Sequence, residues 1–246
     1  MVDTHCHLDV CEPPDAELVR RAREAGVVRI ATIGTDVGSN EAALRLAGEH
    51  EDVHAAIGCH PQSASDYDPG ELEALARGPG VCAIGETGLD YYRDRSPRED
   101  QRKAFLGQIE LARLLGLSLI IHTRAAEEDT FAILREHAQG LTVVMHCFSA
   151  PDRLDECVER GYMCSFAGNV TYPKATGLQA AAREVPDELL LVETDAPFLA
   201  PQPVRGKPNE PANVRMTAQA VAALRGVSYD ELEQTVERNA ERVFGW

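Results

Sequence analysis

The chain has 246 residues, 44% of them hydrophobic, and is long enough to bury a full apolar core without disulfide bonds. Its 24 basic and 40 acidic residues give a formal net charge of −16. This charge excludes the broad basic surface of a protein that coats nucleic acid by charge alone, although it is compatible with a nucleic-acid enzyme that has a local site. Apolar runs recur along the whole length, which excludes a disordered chain.

The start of the chain and its cysteines indicate in which cellular compartment we expect the protein. The opening Met-Val-Asp-Thr-His has neither the basic nor the apolar region of a secretory signal, and no apolar run approaches the roughly 20 residues that span a bilayer. The seven cysteines form no Cys-x-x-Cys pair. Four of them lie in or at the end of apolar runs, as buried thiols do: Cys59, Cys82, Cys147 and Cys164. We therefore expect free thiols, a cytoplasmic location, no membrane contact and no obligate protein partner.

Eight short apolar runs alternate with helical patterns along the chain. Several runs are continuous rather than alternating, which is typical of strands covered on both faces in a parallel sheet. In chain order the runs are Val2–His7, Val27–Gly34, Val53–His60, Val81–Asp90, Ser118–Thr123, Thr142–Phe148, Tyr162–Asn169 and Leu189–Asp195.

The segments between the runs have helical features. Ser96–Glu99 matches a capping box with proline at the first helical position, and predicts a helix start. Behind it Phe105, Ile109 and Ala112 repeat at helical spacing and predict one buried face. Ser228–Glu231 predicts a second capping box at the start of the last helix.

Eight strand–helix units in a chain of this length predict an α/β fold, the (β/α)8 TIM barrel, as a single domain over residues 1–246. The alternative is a doubly wound sheet. That fold needs fewer strands and usually carries a glycine-rich phosphate-binding loop, which this sequence lacks.

Histidines and carboxylates are concentrated near the ends of the predicted strands. In a barrel the C-terminal strand ends meet at one mouth, where active sites are built. A lone strand-end histidine is usually structural, but such residues on five strands together indicate a site for divalent metal ions. The candidate metal ligands are His5, His7, Glu86, His122, His146 and Asp195.

One further pattern suggests a metal site and is excluded. His50-Glu51-Asp52-Val53-His54 matches the H-E-x-x-H pattern of zinc proteases, which requires both histidines on one helical turn. Here the segment runs from a helix end into the third predicted strand. The two histidines therefore do not share a helical face.

Five sequence blocks and one loop stand in a fixed order along the chain. They are Asp3–Asp9 (DTHCHLD), Gly85–Tyr92 (GETGLDYY), His122–Arg124 (HTR), His146–Ser149 (HCFS), Glu193–Pro197 (ETDAP) and the loop Arg205–Pro211 (RGKPNEP). In this order the chain resembles the TatD family of metal-dependent deoxyribonucleases, within the amidohydrolase superfamily. The resemblance covers essentially the whole chain.

The resemblance implies two divalent metal ions. The implied ligand sets are His5, His7 and Asp195 for one ion and His122 and His146 for the other, with Glu86 bridging them. Two ions about 3.5–4 Å apart can stabilise the attacking and the leaving oxygen of a phosphodiester. Asp195 would orient the attacking water and accept its proton, so that Asp195 and Glu86 are the predicted catalytic residues. The ligands suit zinc, and magnesium or manganese stay open.

Substrate contacts are expected from basic, aromatic and amide side chains near the same strand ends. Arginine binds phosphate bidentately, and tyrosine can stack on a base. His60 has two interpretations, as a residue that closes the third strand or as a substrate contact. The candidate contacts are His60, Tyr91 with the adjacent Tyr92, Arg93, Arg124, Asn169 and Arg205 with the nearby Lys207.

The function that the resemblance implies is hydrolysis of DNA phosphodiester bonds, which we expect from a 3′–5′ exonuclease or a repair-type nuclease. The net charge favours single-stranded or frayed 3′ ends over long duplex, although salt screens such repulsion beyond roughly 8–10 Å. One alternative keeps the fold and hydrolyses another ester, an amide or an aminoacyl-tRNA bond. A second alternative is a non-enzymatic protein that retains the metal for stability.

Overall fold

The computed structural model describes all residues from Met1 to Trp246. The strands are β1 (Val2–Cys6), β2 (Arg29–Ile33), β3 (Val53–Ile57), β4 (Val81–Asp90), β5 (Ser118–Arg124), β6 (Val143–Met145), β7 (Met163–Phe166) and β8 (Leu190–Val192). The helices are α1 (Asp15–Glu24), α2 (Val37–Glu49), α3 (Pro69–Ala76), α4 (Arg98–Leu115), α5 (Glu127–His137), α6 (Leu154–Arg160), α7 (Thr176–Glu184), α8 (Val214–Arg225) and α9 (Tyr229–Phe244). None of these helices combines the length and the apolar character that a membrane span requires.

The eight strands form one sheet, hydrogen-bonded in sequence order from β1 to β8. Neighbouring strands pair in parallel, and at least one helix follows each strand. Each predicted apolar run contains a strand, with β5 extending one residue further than its run. This is the topology of a (β/α)8 TIM barrel, so the predicted fold class is confirmed. That residues 1–246 form one domain stays a prediction.

The chain divides into two compact units. The terminal unit comprises Met1–Thr32 and His146–Trp246, and the central unit comprises Ile33–Met145. In the terminal unit the segment after β8 lies along β1, because Cys6 forms a parallel bridge with Ala196. This pairing brings the residues that follow β8 beside the histidines at the end of β1.

In the central unit, α4 packs its predicted apolar face inward. Phe105, Ile109 and Ala112 are fully buried, as their spacing predicts. Gln108 is also fully buried on this helix: its side-chain carbonyl accepts the N–H of Cys59 at 2.8 Å, and its amide donates to the Cys59 carbonyl at 3.0 Å. The helix thereby holds the segment that leaves β3.

The two predicted capping boxes have different outcomes. At α9 the box is confirmed, since the Ser228 hydroxyl accepts the N–H of Glu231 and the Glu231 side chain accepts the N–H of Ser228. At α4 the prediction is wrong, because the helix begins at Arg98 and no side chain caps it. The Ser96 hydroxyl instead donates to the carbonyl of Gln62 at 3.0 Å, so it serves the turn after β3 rather than the helix.

The two histidines of the H-E-x-x-H pattern do not share a helical turn, as expected. His50 directly follows the end of α2, whereas His54 lies within β3. All seven cysteines are free, as predicted. Six are buried, but the burial predicted for Cys147 is wrong, since it is partly exposed.

Candidate metal centre

In the terminal unit four predicted ligands lie at or beside strand ends. His5 is in β1 and His7 follows that strand, while Asp195 lies three residues after β8 and His146 directly after β6. The donor atoms of His5, His146 and Asp195 all lie within 4.8 Å of one another. Nε2 of His7 is 3.6 Å from Oδ1 of Asp195. The structure thus brings together imidazole and carboxylate groups in the spacing that one ion needs.

Backbone hydrogen bonds hold Asp195 against β1. Its N–H donates to the His5 carbonyl at 2.9 Å, and the His7 N–H donates to the Ala196 carbonyl at 2.8 Å. Asp195 has φ = +54°, in the left-handed region that Asp and Asn tolerate better than other side chains. Backbone conformations of this kind concentrate at functional sites. The local fold therefore places strain at the residue predicted to act on the water.

The charge state of these side chains suits a cation. Burial alone would raise the pKa of Asp195, but its hydrogen bond with His7 and the charges of His146 and His5 together bring the pKa below its ordinary value. The rings of His5 and His146 stack with centroids 3.5 Å apart. An ionised carboxylate beside two imidazole rings is a donor set that suits a divalent cation.

A buried carboxyl group backs His146, which here means that it lies beside the ring nitrogen that is not available to an ion. Oε1 of Glu193 lies 2.8 Å from Nδ1 of His146 and accepts the N–H of Cys147 at 2.9 Å, and Glu193 is fully buried. Metal-binding histidines commonly donate their second ring nitrogen to a carboxylate, which fixes the tautomer and the ring orientation. Glu193 therefore leaves Nε2 of His146 as the atom available to an ion.

Asp3, in β1, accepts hydrogen bonds from Thr194, the residue before Asp195. Its carboxyl oxygens accept the backbone N–H of Thr194 at 2.8 Å and the Thr194 hydroxyl at 2.6 Å. Burial raises the pKa of Asp3 to about 8, against the opposing effect of the Thr194 hydrogen bonds. These bonds join the first strand to the segment that carries Asp195.

In the central unit a second set of donors surrounds Glu86, which is buried in β4. Oε1 of Glu86 lies 2.6 Å from Nδ1 of His122 in β5 and 3.7 Å from Nε2 of His60 after β3. The donor atoms of these three residues all lie within 4.8 Å of one another. The parallel register of β4 and β5 explains the contact, because it pairs His122 with Gly88, two residues after Glu86.

In this arrangement Nε2 of His60 is a hydrogen-bond donor rather than a metal ligand. Its Nδ1 accepts the backbone N–H of Gln62 at 3.0 Å, so a neutral ring carries its proton on Nε2, which faces Glu86. A protonated ring nitrogen can donate a hydrogen bond to substrate but cannot bind a metal ion. The interpretation of His60 as a substrate contact stays a prediction.

Asp90 backs His122 as Glu193 backs His146. Oδ2 of Asp90 lies 3.5 Å from Nε2 of His122 and accepts the side-chain amide of Gln62 at 2.8 Å. Burial acts to raise the pKa of Asp90, but the bonds to His122, to the Arg93 N–H and to Gln62 hold it well below its ordinary range. This carboxylate is thus ionised at neutral pH.

The two donor sets fit divalent cations. Each combines imidazole nitrogen with carboxylate oxygen, the mixture that suits zinc and, with fewer histidines, manganese or magnesium. The donor atoms of His5, His146 and Asp195 are close enough to share an ion, and so are those of Glu86 and His122. How the ligands divide between two ions stays a prediction.

Of the adjacent tyrosines, Tyr92 offers the more open ring. Its side chain is 63% exposed, and the guanidinium groups of Arg124 and Arg93 lie 4.1 and 5.7 Å from its ring centroid. The Tyr91 hydroxyl donates to Asp129 at 2.7 Å, which anchors that side chain. Both arginines are exposed, as phosphate contacts must be, and their role stays a prediction.

Two further candidate contacts lie in the terminal unit. Asn169 is in the turn Gly168–Thr171 after β7, with its amide nitrogen 3.8 Å from the Cys147 sulfur. Arg205 is exposed, and its guanidinium lies 4.3 Å from the ring centroid of Tyr172. Nothing in these contacts assigns either residue to a substrate.

The carboxyl groups behind the two histidines, Glu193 and Asp90, were not among the predicted site residues. A signal for Glu193 was present, since it stands two residues before Asp195 just as His5 stands two residues before His7. Residues at this spacing in a strand face the same side. Asp90 had a similar signal, because it stands four residues after Glu86 in the same predicted strand.

Comparison with known proteins identifies the family. The model for "TatD related DNase" matches residues 2–245. The "Uncharacterized metal-dependent hydrolase YabD" of Bacillus subtilis is 38% identical, covering 99% of this chain and 98% of that protein. The "3'-5' ssDNA/RNA exonuclease TatD" of Klebsiella pneumoniae is 34% identical over 93% of this chain and 91% of that protein. The crystal structure of YJJV, a TatD homologue from Escherichia coli K12, matches with a TM-score of 0.93 at 29% identity, covering 100% of this chain and 98% of that one. The chain therefore belongs to the TatD family and is a metal-dependent hydrolase.

Proposed function

We propose that this hydrolase is a nuclease that cleaves phosphodiester bonds of single-stranded DNA from the 3′ end. The observation that carries the proposal is the buried donor set of His5, His146 and Asp195, beside strand ends and backed by Glu193. Support for a nucleic-acid substrate comes from relatives named as ssDNA/RNA exonucleases, one of them 36% identical. The exposed arginines that lie over tyrosine rings are further support, because they suit a ligand with phosphates and bases.

When bound, divalent ions supply a water of lowered pKa and positive charge for the phosphate oxygens. Asp195 is the group suited to hold the proton that the water loses, because its carboxylate is ionised and its backbone is fixed beside β1. We assign to Nε2–H of His60, beside Glu86, a hydrogen bond to a phosphate oxygen. Family membership supports Glu86, His122 and His146 as further residues that would hold divalent ions.

Substrate binding is assigned to the exposed contacts that the sequence predicts. Arg205 and Arg124 would each hold a phosphate bidentately, as planar guanidinium groups do. Arg93 adds positive charge beside Tyr92, and Tyr91 supports this segment through Asp129. Asn169 would donate its amide to a phosphate oxygen.

The test is digestion of a 5′-labelled single-stranded DNA oligomer with Mg²⁺, Mn²⁺ or Zn²⁺. We expect a ladder that shortens from the 3′ end and disappears with EDTA or in the Asp195→Asn variant. Absence of cleavage with every metal, in protein shown by elemental analysis to hold metal, would exclude the nuclease. Hydrolysis of another ester, an amide or an aminoacyl-tRNA bond would then replace it.

Asn is the right replacement at position 195. Asn tolerates the left-handed backbone of this residue, whereas Ala there would cost about 1 kcal/mol. In urea denaturation without metal, we expect Asp195→Asn to be more stable than Asp195→Ala by about that amount. Both variants should be inactive, so that loss of activity in the Asn variant reports on the carboxylate and not on unfolding.

A further inference from the structure

We propose that Phe198 is the stacking residue for a nucleobase next to the scissile phosphate, an inference that rests on the proposed nuclease function. Phe198 follows Asp195 by three residues and is 56% exposed, although Ala196 and Ala200 on either side are buried. Its ring centroid lies 6.1 Å from that of the predicted ligand His7, with the planes inclined at 68°. A large apolar ring thus stands in solvent beside the metal donors.

The segment that carries the ring is rigid. The N–H of Phe198 donates to the Asp195 carbonyl at 2.8 Å, and its carbonyl accepts the side-chain amide of Asn209 at 2.8 Å. Asn209 is fully buried and also donates to the Thr194 carbonyl at 2.9 Å. Because the backbone is held in this way, only the side-chain torsions of Phe198 lose freedom when a ligand stacks on the ring, which is the advantage of preorganisation.

The surroundings favour a base over an apolar protein surface. The edge-to-face contact with His7 leaves most of the Phe198 ring open to solvent. The exposed residues that follow include the cations Arg205 and Lys207, which attract a polyanion. Every base has a π face, so stacking here would accept any sequence while placing the adjacent phosphate at the metal donors.

The experiment measures kcat/KM on single-stranded oligomers that carry either thymidine or an abasic residue at the terminal or the penultimate 3′ position. We expect the wild type to prefer thymidine at one of these positions by about 5- to 150-fold. Phe198→Leu should reduce this preference toward 1 with little change on the abasic oligomer, and Phe198→Trp should retain it. Leu114→Ala, at an exposed apolar residue of α4, is the control for general surface effects and should keep the full preference.

A spectroscopic readout checks stacking without turnover. A 3′-terminal or penultimate 2-aminopurine loses fluorescence on stacking, so in EDTA it should be quenched by wild type and Phe198→Trp but not by Phe198→Leu. Equal quenching by Phe198→Leu, or an equal loss of activity on both oligomers together with lost metal, would overturn the proposal. An equal loss of activity together with lost metal would mean that Phe198 positions His7 and does not stack on a base. If the wild type cleaves no DNA, the nuclease function fails instead, and the quenching assay still decides whether Phe198 binds a base.

Discussion

At the scale of single residues, each of two predicted ligand imidazoles is backed by a buried carboxyl group. Glu193 faces His146 in the terminal unit, and Asp90 faces His122 in the central unit. A backed imidazole presents one nitrogen in a fixed direction, so it loses less freedom when it binds an ion. The backing groups should therefore control metal affinity even though they touch no metal.

We expect Glu193→Gln to weaken metal binding by about 10- to 100-fold, because an amide retains the acceptor for the Cys147 N–H but lacks the charge that orients His146. Competition with a chromogenic zinc chelator measures the affinity. Glu188→Gln, an exposed neighbour, is the matched control and should bind as the wild type does. Unchanged affinity in Glu193→Gln would mean that His146 is not a ligand or needs no orientation.

At the scale of elements, α4 supports the central-unit donors from behind the sheet. Gln108 bonds both backbone groups of Cys59, next to His60, and its amide donates to the Thr87 hydroxyl at 2.7 Å, next to Glu86. One helical side chain thus fixes the segment after β3 and the middle of β4. The geometry of His60 and Glu86 depends on this helix.

Replacing Gln108 with Leu should lower the free energy of unfolding by about 2–4 kcal/mol, because it leaves the buried N–H and C=O of Cys59 without partners. Urea denaturation measures this change. Gln139→Leu, an exposed position after α5, should change stability by less than about 0.5 kcal/mol. Equal effects of the two substitutions would show that the Cys59 groups find other partners.

At the scale of the whole molecule, the net charge of −16 opposes the approach of a polyanion, whereas the exposed arginines, and divalent ions when they are bound, attract it locally. A single-stranded end can reach a local site with few phosphates near the rest of the surface. A long duplex brings many more phosphates near the negatively charged surface. Under the proposed nuclease function, we therefore expect the net charge to favour a single-stranded end over a long duplex.

We expect a single-stranded oligomer to be degraded at least about tenfold faster than the blunt duplex of the same sequence at 0.05 M salt. A duplex with a frayed 3′ end should behave like the single strand. Because salt screens long-range repulsion, the ratio should fall as salt rises to 0.3 M. Equal rates on blunt and frayed duplexes in a gel assay would contradict this role of the net charge.

The sequence by itself determined the eight strands, the helix order and the residues predicted to bind metal. These follow from periodicity and from spacing along the chain, as in the His5-x-His7 pair, and both are local properties. Only the tertiary structure decided that Glu193 backs His146, that Ser96 serves a turn instead of capping a helix, and that Phe198 stands exposed beside His7. Such contacts join residues far apart in the chain, as Asp3 and Thr194 show, and each depends on how distant segments pack. A pattern in the sequence places a side chain on a strand, but its partner is fixed only when the strands and the loops after them meet.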